Sequence, residues 1–122
     1  IFAVGRMVQM AMQAGIELMG KGISAGIVDA RFVKPMDAEM LVKLAAKVKL
    51  VVTVEENSVE GGFGEGVLRL LQEHCIRVDA LTLGVPDRFI DHGSVSLQLA
   101  ECGLNGYGIS QSILKRWMER EA

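Results

Sequence analysis

The sequence predicts an α/β domain of three layers, α/β/α, on a mostly parallel sheet with strand order 2-1-3-4. Two observations carry that reading. Short apolar runs rich in β-branched residues alternate along the chain with helical patterns. In addition, the stretch LVVTVEENSVEGGFGEGV, Leu50 to Val67, holds a strand, an acidic strand end, a glycine turn and a helix start in direct succession.

Ile1 to Val4 reads as the first strand, and Gly5 lets the backbone turn sharply, leaving Arg6 at the strand's carboxyl end. Met7 to about Gly20 is helical, with Val8, Met12 and Ile16 (closed by Met19 or Gly20) as the expected buried stripe. Ala11 and Gly15 permit close packing. The four methionines of this helix read as adaptable core filling, because no His or Cys stands nearby to complete a metal site. Gly20 and Gly22 around Lys21 form a stop signal.

Ile23 to Ala30 is the second expected strand, followed by a connector over Val33 to Asp37. Asp37 reads as an N-cap and Glu39 as a first-turn acid for a helix reaching about Val48, buried through Leu41, Leu44, Ala45 and Val48. Leu50 to Val54 is the third strand. The helix behind the glycine turn places Val67, Leu68 and Leu71 on one face and closes near His74 and Cys75. Ile76 to Leu83 is the fourth strand, bounded by Gly84-Val85-Pro86. The tail holds a short helix around Val95 to Cys102, a break at Gly103 to Gly106, and a last helix from about Gly108 to Arg120. Strands joined by helices imply parallel pairing with right-handed crossovers and helices on both faces. The order 2-1-3-4 puts the reversal between strands 1 and 3.

A chain of 122 residues forms one domain, 1–122, with a real core but no room for two. A net charge of −2 gives no reason to expect nucleic acid or an anionic membrane as partner. No apolar run approaches the roughly 20 residues that span a bilayer. Cys75 and Cys102 form no CxxC pair, so structural thiols in a reducing cytosol are expected and the localisation reads as cytoplasmic. The opening Ile1-Phe2-Ala3-Val4-Gly5 lies inside a strand, and we read the chain as a fragment of a longer polypeptide.

Ligands of open α/β sheets bind outside the carboxyl ends of the strands, near the switch point. That rim collects Arg6, Asp29, Arg31, Glu55, Glu56, Asp87 and Arg88, either as a partnered surface or as loops bridged among themselves. The turn Gly61-Gly62-Phe63-Gly64-Glu65-Gly66 opens a helix whose free amides could hold a phosphate. Its spacing does not match a dinucleotide fingerprint, no GxxxxGK[ST] is present, and Glu60 and Glu65 discourage an anion, so close backbone packing is the expected role. Glu55 and Glu56, adjacent at a strand end, point to opposite sides and make no carboxylate dyad. His92, between Asp91 and Gly93, is a general base only if a nucleophile accompanies it, and none can be named. His74 is explained by a helix C-terminus. No pair of these residues reads as metal ligands.

Several stretches resemble a known family. They are VDARFVKPMD (Val28 to Asp37), VTVEEN (Val52 to Asn57), GGFG (Gly61 to Gly64), PDRFIDHG (Pro86 to Gly93) and AECGL (Ala100 to Leu104). Together they resemble the C-terminal domain of the transketolase-like thiamine diphosphate enzymes, and within that group the 1-deoxy-D-xylulose-5-phosphate synthase family. The first and third of these motifs are shared loosely with transketolases and 2-oxoacid dehydrogenase E1 β subunits; the combination of DARFVKP with PDRFIDHG is the more specific signal. The resemblance implies a parent transferase that condenses pyruvate with glyceraldehyde 3-phosphate with loss of CO₂, supplying isoprenoid, thiamine and pyridoxal synthesis. It implies that thiamine diphosphate and Mg²⁺ sit between upstream domains, the metal held by a Gly-Asp-Gly motif absent from this sequence. No catalytic, cofactor-binding or metal residue is therefore expected here. The expected role is assembly, by packing on the upstream domains and across a homodimer. The candidate interface and structural residues are Arg6, Asp29, Arg31, Phe32, Glu55, Glu56, Gly61, Gly62, Phe63, Gly64, Asp87, Arg88, Phe89 and His92. The alternatives are the same domain of a transketolase or an E1 β subunit, and a stand-alone nucleotide-binding module.

Overall fold

The computed structural model describes residues 1–30, 38–58, 61–85 and 99–121, with backbone alone at 57 and 58. Its elements run β1 (Phe2–Ala3), α1 (Met7–Met19), β2 (Val28–Asp29), α2 (Ala38–Ala45), β3 (Leu50–Ser58), α3 (Phe63–Glu73), β4 (Asp79–Val85) and α4 (Gly106–Glu121), with a helical stretch at 99–101 before α4. The four strands form one parallel sheet in the order β2-β1-β3-β4. Fold class and strand order are those the sequence predicts.

The two faces are separated by strand alternation. On one face, Ala3, Val52 and Val54 pack with Met7, Ala11, Ala14 and Leu18 of α1 and with Ile109 and Ile113 of α4. On the other, Phe2 and Val51 pack with Leu41 and Ala45 of α2 and with Phe63, Val67 and Leu71 of α3. Neighbouring residues of one strand thus serve opposite layers, which is why these runs are apolar throughout.

The buried face of α1 differs from the stripe expected. Met12, Ile16 and Met19 are 55%, 72% and 71% exposed, while Met7, Ala11, Ala14 and Leu18 are buried. The stripe is rotated by about a third of a turn from the expected one. Two alanines at its centre let the helix approach the sheet, and the larger apolar residues are left on the outer side. Core filling by methionine therefore describes Met7 and not Met12 or Met19. Leu68 is likewise 41% exposed, beside the buried Val67 and Leu71. Val48 is also exposed, because α2 ends at Ala45 and Val48 lies in the connection beyond it.

Strand lengths follow the partners available. β2 spans two residues and not Ile23 to Ala30, because its ladder ends with β1: Phe2 pairs Val28 and Ala3 pairs Asp29. β4 begins at Asp79, opposite Leu50, and runs to Val85. The residues before it close α3: Cys75 takes φ +55° and the Ile76 amide donates to Leu71. The expected N-cap Asp37 and the start of the short helix at Val95 lie outside the described residues.

Candidate functional site

The acidic end of β3 meets the glycine turn that opens α3. Glu55 is 1% exposed, at the point where β3 passes beneath the start of α3. Its two carboxylate oxygens accept from the first two backbone amides of that helix, Oε1 from Phe63 at 2.8 Å and Oε2 from Gly64 at 2.7 Å. A helix N-terminus presents unpaired N–H groups and a partial positive charge, the usual setting for a ligand anion. Here the chain's own carboxylate takes that place. Burying a carboxylate is costly unless it is well bonded, and two charge-assisted bonds together with the helix dipole supply what the burial requires.

The glycines of the turn have separate tasks. Gly61 has φ +71°, a conformation that side chains other than glycine rarely adopt, and its amide donates to Glu65 Oε2 at 2.8 Å. Gly62 is extended at the N-cap position and contributes no side-chain cap. Gly64 is where the helix touches the sheet: a Cβ there would lie 2.7 Å from Thr53 Oγ1 and 2.9 Å from Thr82 Cγ2. Phe63 is buried in the α2–α3 layer. Close packing, expected of this turn, is thus concentrated at Gly64, over a floor of Thr53 and Thr82.

Glu56 turns the opposite way from Glu55 and forms an ion pair with Arg6 at the start of α1. Both side chains are substantially exposed, so the pair contributes less than about 1 kcal/mol. It nevertheless ties the ends of β1 and β3 across the switch point. Asp29 ends β2 and is exposed. Arg31, Phe32, Asp87, Arg88, Phe89 and His92 lie outside the described residues. The structure therefore brings together Glu55 with Phe63 and Gly64, and Glu56 with Arg6.

A second polar cluster sits at the other end of the sheet. Arg116 of α4 donates through Nη2 to Asp79 Oδ1 at 2.7 Å and through Nε to Oδ2 at 2.9 Å. Arg120 approaches the same carboxylate at 3.6 Å and stacks 5.3 Å from the Trp117 ring centroid. The Arg116 hydrogen bond holds Asp79 below its ordinary carboxylate range, against the opposing effect of desolvation. Sequence reading missed this cluster, since nothing local marks residues 37 positions apart as partners. His74 caps its own helix, its Nδ1 lying 2.9 Å from the Leu70 carbonyl oxygen.

An apolar cavity of about 290 Å³ opens at the amino ends of the strands, lined among others by Ile23, Leu44, Val48 and Trp117. It lies opposite the rim where parallel sheets place their ligands. Among the described residues, no group of three or more His, Cys, Asp or Glu could hold a metal ion. These residues do not fit a site for Mg²⁺ and a diphosphate, since the N-terminal amides of α3 are occupied by Glu55. No helix among the described residues is long and apolar enough to cross a membrane.

Comparison with known proteins agrees with this architecture. Residues 1–119 match the family model described as transketolase, C-terminal domain. A 1-deoxy-D-xylulose-5-phosphate synthase of Caldanaerobacter subterraneus subsp. tengcongensis is 43% identical over 119 residues, covering 98% of this chain and 19% of that protein. One from Synechococcus sp. strain JA-3-3Ab is 47% identical over 113 residues, covering 93% of this chain and 17% of that protein. The chain thus spans about a fifth of the length of these relatives. Among solved structures, one titled split gene transketolase, inactive β4 tetramer, superposes with a TM-score of 0.86 at 34% identity, covering 93% of this chain and 37% of that one. By its sequence and its fold, the chain belongs to the transketolase C-terminal domain family.

Proposed function

We propose that this chain is the C-terminal domain of a longer enzyme of the 1-deoxy-D-xylulose-5-phosphate synthase type, and that it serves assembly and not chemistry. In this reading the parent is a cytoplasmic transferase that condenses pyruvate with glyceraldehyde 3-phosphate and releases CO₂. Thiamine diphosphate and Mg²⁺ are held by its upstream domains. The present domain packs on those domains and across a homodimer, with the exposed Arg6–Glu56 pair of the rim as part of the packed surface.

The observation that carries the reading is the closed state of the one anion-binding feature the sequence offers: Glu55 bonds both leading amides of α3. A stand-alone nucleotide-binding module would need those amides for phosphate, so that alternative loses its support. Similarity of 43–47% to proteins named as the synthase, against 34% to a transketolase, favours the synthase over the transketolase reading.

Calorimetric titration of thiamine diphosphate with Mg²⁺ into this chain tests the assignment of roles. No binding heat is expected. Saturable binding that a Glu55→Ala variant alters would place the cofactor at this rim and overturn the proposal.

A further inference from the structure

The residue that leads into α4 is an asparagine followed by a glycine. Of the asparagines in the chain, Asn57 precedes serine and Asn105 precedes Gly106. In a free chain an Asn-Gly pair is self-reactive, because glycine has no side chain to keep its nitrogen from reaching the asparagine Cγ. Packing fixes this glycine in place. Gly106 is buried, and a Cβ there would lie 2.6 Å from Gln13 Cβ of α1.

The fold holds the pair in an unreactive arrangement. Asn105 is the N-cap of α4: its Oδ1 accepts from the Gly108 amide at 2.8 Å, and its backbone carbonyl accepts from the Ile109 amide at 2.9 Å. The first bond ties the side-chain amide to Gly108, beyond the nitrogen that would attack it. The second ties the carbonyl into the helix. Both bonds persist while the first turn of α4 is formed, and that turn is anchored by the buried Ile109 and Ser110. We propose that Asn105 is a deamidation site gated by the first turn of α4, closed in the folded turn and reactive when it opens.

The chemistry needs only base and water. The Gly106 nitrogen, its proton lost to base, attacks Asn105 Cγ; the new C–N bond closes a succinimide ring, and the side-chain amino group leaves as ammonia. Water then opens the ring at either carbonyl, giving aspartate or isoaspartate. The two products differ in consequence. Aspartate keeps the capping oxygen and adds a negative charge at a helix N-terminus, where it is favourable. Isoaspartate inserts a methylene into the backbone and displaces Gly106 from its close fit against Gln13, so the gate does not re-form around it.

Peptide mapping by mass spectrometry, on the full chain held at mildly alkaline pH with and without urea, tests the site and the gate. The unfolded chain should convert Asn105 to acid about tenfold or more faster than the native one, the factor expected of a turn held shut by a cap and buried contacts. Below the unfolding transition, the native rate should rise with urea in step with hydrogen exchange at the Gly108 amide. Conversion in urea no faster at Asn105 than at Asn57 overturns the site. Equal rates at Asn105 in native and unfolded chains, or a native rate that ignores Gly108 exchange, overturns the gate.

Discussion

Replacing Glu55 by glutamine changes almost no volume and removes one of two acceptors from a buried helix terminus. In the native chain the carboxylate is 1% exposed and accepts at 2.8 and 2.7 Å from Phe63 and Gly64. The glutamine carbonyl can serve one of these amides, while its NH₂ group faces the other, leaving a buried donor unpaired at about 1–3 kcal/mol. The favourable meeting of charge and helix dipole is lost as well. Relief from burying a charge works in the opposite direction, so about 2 kcal/mol of net destabilisation is the expectation. For a domain of this length, 1 kcal/mol corresponds to about 4 °C in Tm, giving a drop of about 8 °C. Calorimetric melting of Glu55→Gln against the native chain measures the loss, and amide exchange at Phe63 and Gly64 should quicken selectively. A Tm within about 2 °C of the native value, with exchange at both amides unaltered, would refute the assignment of Glu55 as the internal cap of α3.

Gly64→Ala should cost about 1–3 kcal/mol, since the new Cβ meets Thr53 Oγ1 and Thr82 Cγ2 at less than van der Waals separation; urea denaturation should show Thr53→Ala recovering part of the loss in the double variant. Met7→Ala should destabilise by about 2–5 kcal/mol, whereas Ile16→Ser, at a 72% exposed position, should stay within about 0.5 kcal/mol; equal losses in the two variants would contradict the observed rotation of α1. The depressed Asp79 carboxyl contributes stability that is present above its unfolded value of about 3.9 and is lost as pH falls through its lower folded value. Asp79→Asn should accordingly be less stable than the native chain at neutral pH and converge with it in acid, as a series of melts at stepped pH will show.

Much of the candidate site was legible because its signals are local. Glycines 61 to 64 announce a turn, the carboxylates beside them announce an acidic strand end, and alternation requires Glu55 and Glu56 to diverge. Which of the two turns inward was not legible. That depends on the amides of a helix eight residues further along, and on a β3–α3 spacing that brings Phe63 and Gly64 above Glu55. The Thr53–Thr82 floor belongs to two strands paired in register, so no single stretch of sequence displays it.

By itself, the sequence determined the α/β/α class and the parallel sheet, since apolar runs and helical periods are properties of consecutive residues and strands joined by helices pair in parallel; the 2-1-3-4 order was chosen to place the reversal between strands 1 and 3, and the structure has that order. Tertiary structure decided the rotation of α1. That helix carries large apolar side chains around much of its circumference, so periodicity alone offers two stripes, and the one with Ala11 and Ala14 fits closest to the sheet. It also decided where strands end, because a ladder extends only as far as its partner, and β1 limits β2 to two residues. The Asp79–Arg116 clamp was decided there too: residues 37 apart meet only after α4 has packed against the face that β4 helps to form.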